Sequence, residues 1–440
     1  MMKLKPILAS AAAIAMLVGM AACGGSDSNA GSSAKTDSNE KITIKIQTFN
    51  NPGFAKATDE KPGADLYSKY EKLHPNVTIQ ETAAASSDDA RAAFNTAISA
   101  GSNAFDVYLT EIDWMPSIMA MPDKFYDLKD AAKDNDWLDW KSAEATTSDG
   151  KLIGAGTDAG PEGICYRSDL LKKGGFDTDR AAVAKWLGGD NATWDSYFKA
   201  GEEYTKKTGK PWYDSMSAVY QGMINQIEES YVKKDGTIIA QDNAEVKKIY
   251  DQLTSTQDIS AHLSQWSDDW NAAFKSDDGF ATTLCPAWLV NNIKGNAGAD
   301  FKGWDIADVF PGGGGNWGGS YLVVPQDSKV KEEAAKFAAW LTAPEQQVAV
   351  FTTASNFPSS PTAQKDSDVA NKTDEFLNNA PTGQIFTNRA DAVKVVPFKG
   401  AQYFDIQTKM ADALNRFDVD KSQSASESWK QWLTDVKSLS

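Results

Sequence analysis

The sequence predicts an α/β protein, and three observations carry the prediction. Between residues 42 and 114, apolar runs of period two alternate with amphipathic helical runs in the order β-α-β-α-β, which implies a mainly parallel sheet. A chain of 440 residues has room for two sizeable cores. Between residues 148 and 176, two short extended runs meet at a Gly-Pro break that leaves no room for a packed element. Such a break suits a chain passing from one domain to another, although a surface loop joining two strands of one domain has the same spacing.

The N-terminal elements follow in order. Ile42 to Ile46 alternates as a half-buried strand and ends in the turn Thr48 to Gly53. Ala64 to Leu73 is an amphipathic helix stopped before Pro75, and Val77 to Ile79 is the second strand. Asp88-Asp89 starts a helix that runs to Ala100 and ends at Gly101, and Phe105 to Leu109 is the third strand. In such sheets, ligands gather beyond the carboxyl ends of the strands. Asn50 and Asn51 follow the first strand, and Glu111, Asp113 and Trp114 follow the third, so all five are candidate cleft residues. The structural alternatives are that Trp114 packs over a helix and that Glu111 caps one.

Met1 to Cys23 reads as an export leader, with Lys3 and Lys5, then the apolar run Ile7 to Val18, then small residues before Cys23. Cys directly after small residues resembles a bacterial lipoprotein box, which implies lipid on Cys23. Gly24 to Asn39 is a polar tether. The formal charge of −16 disfavours nucleic acid and anionic membrane surfaces, while a neutral or cationic ligand is compatible with it. Only His74 and His262 occur, neither near a Cys, so a His/Cys metal site is disfavoured. Cys165 and Cys285 have apolar neighbours and read as buried free thiols, with a disulfide left open.

In the second half, Ser168-Asp169 opens a short helix that stops at Gly174-Gly175, and Thr193-Trp194 opens another, with Trp194 in a packing role. Gly209 to Asp214 breaks that helix. Trp212, Tyr213 and Tyr220 are site candidates there, with core packing as the alternative. Phe310 to Pro325 contains Gly312 to Gly315, then Trp317, Gly318 and Gly319. This run enters a β-branched strand and lacks a Gly-Lys-Ser/Thr ending, which disfavours phosphate binding.

The stretch Asp149-Gly150-Lys151, Pro161, Tyr166, Asp169-Leu170-Leu171 and Gly175 resembles the first inter-domain crossover of extracellular solute-binding proteins of ABC importers, in the oligosaccharide-binding group. Ala97 to Val107, Cys285-Pro286-Ala287-Trp288, Pro311 to Tyr321, Leu341 to Glu345 and Asn356 to Ser359 are similar to later segments of that family in the same order. Phe105 replaces the usual Pro, and the turn before Trp288 is altered. The resemblance implies an α/β, two-lobe, periplasmic-binding-protein-like fold, each lobe a mainly parallel sheet flanked by helices, joined by three hinge crossovers. The implied lobes are 41–158 plus 318–357 and 162–312 plus 360–440, after a leader 1–22 and a tether 23–40.

The resemblance also implies a sugar-stacking role for Trp288 and cleft positions for Trp317, Gly318, Gly319, Phe398, Lys399 and Tyr403, with Asp158 at the first crossing. It implies an oligosaccharide ligand, permease subunits as partners, membrane contact through the N-terminal lipid alone, a monomer, and no cofactor or metal. The rival reading is a secreted glycosidase, whose carboxylate pair would come from Glu111, Asp113, Asp158 and Glu162. A third is a binding protein for a non-sugar solute.

Overall fold

The computed structural model describes residues 40–59, 61–101 and 104–439. The first sheet is built from β1 (Ile42–Phe49), β2 (Val77–Ala84), β3 (Val107–Glu111) and β4 (Gly154–Gly156), and from a later strand, Ser320–Val323. The remaining strands in chain order are β5 (Asp158–Ala159), β6 (Glu162–Arg167), β7 (Thr282–Pro286) and β8 (Trp304–Ala307). Ser320–Val323 is then β9, and Phe357–Pro358 is β10.

The order in the first sheet is β2-β1-β3-β9-β4. β1 runs parallel to β2 and β3, as the β-α-β-α-β pattern predicts, while β9 joins β3 and β4 in the antiparallel sense. Ile44 and Ile46 of β1 are fully buried, whereas Thr43 and Lys45 face out. The helix Ser87–Ala100 starts where Ser86 accepts the Asp89 amide and ends at Gly101 with φ 60°. Asp88 and Asp89 sit in its first turn, where the helix dipole favours negative charge.

The second sheet corrects the expectation of parallel strands. β6 lies between β7 and β8 and is antiparallel to both. An apolar run carries no record of the direction in which it joins a sheet; the intervening helices decide how the chain returns. Here β6 and β7 are separated by the helical stretch 168–281. The α/β two-lobe architecture itself stands as read.

Three passages join the lobes and lie side by side. β5 pairs with β10, and Pro161 bridges Asn316. The Gly160 amide donates to Asn316 Oδ1 at 2.8 Å, and its carbonyl accepts the Trp317 amide at 2.8 Å. A Cβ on Gly160 would stand 1.8 Å from the Trp317 carbonyl oxygen, so only glycine permits this approach.

One apolar cluster, around Ile44, Ile46, Val107 and Leu322, backs the first sheet. A second gathers Tyr197, Trp212, Val219, Leu284, Met410 and Trp432, and a third Cys165, Phe274, Trp304, Phe357 and Phe386. The helix Pro344–Ala354 straddles the lobes, giving Val350 to the first cluster and Phe351 to the third. No helix among the described residues is long and apolar enough to cross a membrane. The leader, Cys23 and the tether 24–39 lie outside the described residues.

Cys165 and Cys285 are bonded, which overturns the free-thiol reading. They occupy diagonal positions on adjacent strands, Cys165 opposite Thr283 and Cys285 opposite Gly163, with Cα atoms 5.4 Å apart. Apolar neighbours made them read as inert, but cross-strand register brings the two thiols together. The bond spans 120 residues of chain, a long loop whose closure restricts the unfolded state. The Cys165→Ala/Cys285→Ala protein is expected to lose about 2–5 kcal/mol of stability, read by denaturant unfolding against the oxidised wild type. Unchanged stability would show that the bond contributes nothing.

Candidate ligand-binding site

A cavity of about 570 Å³ lies between the lobes. This is within the range of roughly 300–1,000 Å³ for clefts that enclose a small ligand. The carboxyl ends of β1 and β3 supply Phe49, Asn50, Asn51, Glu111 and Asp113. The crossings supply Asp158, Trp317, Gly318 and Gly319, and the second lobe supplies Gln221, Trp266, Trp288, Asn292 and Gln407. Among the described residues, the wall carries carboxylates and many carboxamides but no Lys, Arg or His.

The aromatic wall is rigidly set. Trp288 Nε1 donates to the Trp317 carbonyl at 2.8 Å, and the two rings meet edge to face at 5.3 Å. Trp266 stacks on the other side of this pair, 6.0 Å from Trp288 with a 23° tilt. Gly319 has φ 103°, and a Cβ there would press to 2.7 Å on the Asp158 carbonyl oxygen.

The carboxylates differ in what they already hold. Asp158 Oδ1 accepts from Thr157 Oγ1 at 2.6 Å and the Ser320 amide at 2.9 Å, while burial pushes its carboxyl up. Asp113 accepts a hydrogen bond from the Lys399 ammonium in a buried ion pair between residues 286 positions apart in the chain. Burial alone pulls Lys399 down, but Asp113, Tyr403 and Glu144 more than offset it and hold the ammonium above its ordinary value. Glu111 is partly buried and has no hydrogen-bond partner in the protein. Burial, then the neighbouring Asp113, push its carboxyl up to about 8. Behind the Gly319 wall, the buried Lys141 ammonium lies 3.8 Å over the Tyr321 ring without a hydrogen-bond partner, and burial pushes it down to about 8.

Of the residues singled out by sequence, the fold brings Asn50, Asn51, Glu111, Asp113, Asp158, Trp288, Trp317, Gly318 and Gly319 to this wall. The others are placed elsewhere. Trp114 is 1% exposed and packs between Phe49 and Phe94. Trp212 sits between Tyr197 and Tyr204 in the second core. Tyr213 bonds Thr256 and Tyr220 bonds Tyr231, and both are fully enclosed. Large aromatics bury where several helices converge, and position relative to a helix break does not reveal that convergence. Tyr403 is also enclosed, with its hydroxyl 3.3 Å from Asn225 Oδ1, and Phe398 packs against the second core. Lys399 lies behind the wall, bonded to Asp113.

Sequence reasoning missed Phe49, Gln221, Trp266, Asn292 and Gln407. A signal existed for Trp266: an aromatic in the polar run Ser264 to Asp269, with no apolar periodicity around it.

Residues 65–377 match the family described as bacterial extracellular solute-binding protein. The chain belongs to that family. This solute-binding protein superimposes on the crystal structure of an extracellular solute-binding protein family 1 member with a TM-score of 0.79 and 44% identity, over 90% of this chain and 99% of that one. An ABC transporter associated binding protein from B. animalis subsp. lactis Bl-04, solved with β-1,6-galactobiose, shares the fold at a TM-score of 0.73 and 19% identity, over 90% of this chain and 97% of that one. The arabinooligosaccharide-binding protein of Bacillus subtilis (strain 168) is 30% identical over 206 residues, 44% of this chain and 45% of that protein. The chain thus spans about half the length of that curated relative.

The raised Glu111 carboxyl has a pH consequence. The folded state holds its proton above the ordinary value of 4.5, so this group's contribution to stability is full below about 4.5 and lost as pH rises through about 8. Glu111→Gln cannot ionise. Relative to wild type, its melting temperature is expected to rise between pH 5 and pH 9. A difference between the two proteins that does not vary with pH would contradict this environment for Glu111.

Proposed function

We propose that this solute-binding protein captures a neutral oligosaccharide between its lobes and delivers it to the permease of an ABC importer. The observation that carries the reading is the cavity wall itself. Tryptophan faces suit the apolar faces of sugar rings, and carboxamides that both donate and accept suit hydroxyls. Among the described residues, the wall has no basic side chain for an anionic solute. The side chains of Asn50, Glu111 and Asn292 have no partners within the protein and are free for a ligand. Relatives named for arabinooligosaccharides and solved with a galactobiose support the same class.

In this reading the ligand contacts are Asn50, Glu111, Trp288 and the Trp317–Gly319 segment, with Asp113 and Asp158 as neighbours already engaged in the protein. The lobes are 41–158 plus 318–357 and 162–312 plus 360–440. They rotate at the three crossings, and closure presents a joint surface to the permease. The protein acts as a monomer outside the cytoplasm, held to the membrane by lipid on Cys23, with no cofactor.

The reading includes no turnover. Of the four carboxylates that a glycosidase would draw on, Glu162 is fully buried away from the wall, Asp158 already accepts two hydrogen bonds and Asp113 holds Lys399. That leaves Glu111 without a free counterpart among them for acid and nucleophile roles.

Calorimetric titration against a panel of neutral oligosaccharides, with chromatography of the mixtures afterwards, is the direct test. Binding without product is the expected outcome, and product exceeding the protein would replace binding with hydrolysis. Trp288→Ala is expected to weaken the best ligand by about 2–4 kcal/mol, roughly 30- to 1,000-fold in Kd, the range of a buried aromatic anchor. Trp194, whose ring packs on Phe310 and whose Nε1 bonds Gln226, is the control: Trp194→Ala should lower stability and leave affinity near wild type. A folded Trp288→Ala protein with wild-type affinity would remove Trp288 from the site.

The lipid assignment is tested separately. Full-length protein should fractionate with membranes and Cys23→Ala should not; identical partitioning of the two would end the assignment.

A further inference from the structure

We propose that the loop 260–267 is an outer ligand-reading element, in which Trp266 stacks on a saccharide ring at the cavity mouth beyond Trp288 and so sets a preference for longer chains. This deepens, and rests on, the oligosaccharide reading above.

The loop carries two non-glycine residues in the left-handed region, His262 at φ 56° and Trp266 at φ 71°. That conformation is uncommon for a bulky side chain, and it persists only where the surroundings enforce it. At His262 the enforcing contact is Asp418, a 1% exposed carboxylate at the end of the helix Tyr403–Asp418. Asp418 accepts from Ser260 Oγ at 2.6 Å and lies 2.7 Å from His262 Nδ1, while the His262 amide donates to Ser260 Oγ at 3.0 Å. The helix so clamped presents Phe404, Gln407 and Thr408 to the same cavity.

Four residues beyond His262, Trp266 itself sits in an otherwise unfavourable place. Its side chain is 50% exposed, one of three large exposed apolar residues among those described, and the other two, Leu73 and Val396, do not line the cavity. An apolar ring left half in water forgoes much of its burial free energy, so packing does not account for the strained backbone. The ring stacks on Trp288 and leans on Trp270, 5.0 Å away. Beside it, Gln265 also lines the cavity, and its Nε2 is buried without a partner in the protein. An aromatic face with an unengaged carboxamide at its edge fits a sugar ring with a hydroxyl at its rim. Trp288, fixed by the Trp317 carbonyl, serves the inner ring, and Trp266 serves the next one outward. Ser260, His262 and Asp418 are positioning residues for it.

The test is affinity as a function of chain length. Arabino-, galacto- and malto-oligosaccharides of one to six rings are titrated into wild type, Trp266→Ala, Trp266→Gly and His262→Ala. In the series that binds, wild type should gain affinity with the ring that reaches Trp266. Both Trp266 variants should lose that gain, at least tenfold for the longer chains, and bind the shortest ligand within about twofold of wild type. Glycine takes the left-handed backbone without strain, so Trp266→Gly folds even if the alanine variant does not. His262→Ala should flatten the same dependence, which a general loss of stability would not do. Equal weakening at every length, or no weakening, overturns the inference and leaves the oligosaccharide reading intact. Failure of wild type to bind any series overturns both.

Discussion

The approach of Gly160 to Trp317 is the contact on which the arrangement between the lobes depends. It is possible only because residue 160 has no side chain, and it places two crossing segments within hydrogen-bonding distance. The third crossing joins them through β5 and β10. The three extended segments thus lie side by side where the lobes meet. They also bring Asp158, Trp317, Gly318 and Gly319 to the cavity, so the element that joins the lobes is also its back wall.

Charge within the site follows from burial. Glu111 lies where desolvation favours its protonated form, and Lys141 where desolvation favours the uncharged amine. Lys399 meets the same burial penalty, and pairing with Asp113 more than offsets it with help from Tyr403 and Glu144. The cavity is therefore surrounded by ionisable groups whose charge is either opposed by burial or compensated by a partner.

The legible part of the sequence was local. The strand alternation at Ile42 to Ile46, the Asp88-Asp89 helix start and the helix stop at Gly101 all appear where the periodicity and end signals put them. The ends of β1 and β3 pointed to Asn50, Asn51, Glu111 and Asp113, and all four reach the cavity. The aromatic candidates divided differently. Trp288 and Trp317 are on the wall, whereas Trp114, Trp212, Tyr213 and Tyr220 are buried in the two larger apolar clusters. Whether a large ring meets solvent or core depends on which helices converge over it, and those helices come from distant parts of the chain.

The two-lobe organisation was legible through the resemblance to extracellular solute-binding proteins; what the sequence by itself determined was the α/β class and the wall residues that follow strand ends. These depend on short-range rules: side-chain period, end caps, and glycine where the backbone must bend. Tertiary structure alone decided the antiparallel second sheet, the Cys165–Cys285 bond, the pairing of Asp113 with Lys399, and the exposure of Trp266. The first three each depend on two segments more than a hundred residues apart meeting in one place, and the loop that carries Trp266 is tied through Ser260 and His262 to the equally distant Asp418. The direction of a strand, the partner of a thiol or ammonium, and the support that holds a strained loop are properties of that meeting, not of either segment alone.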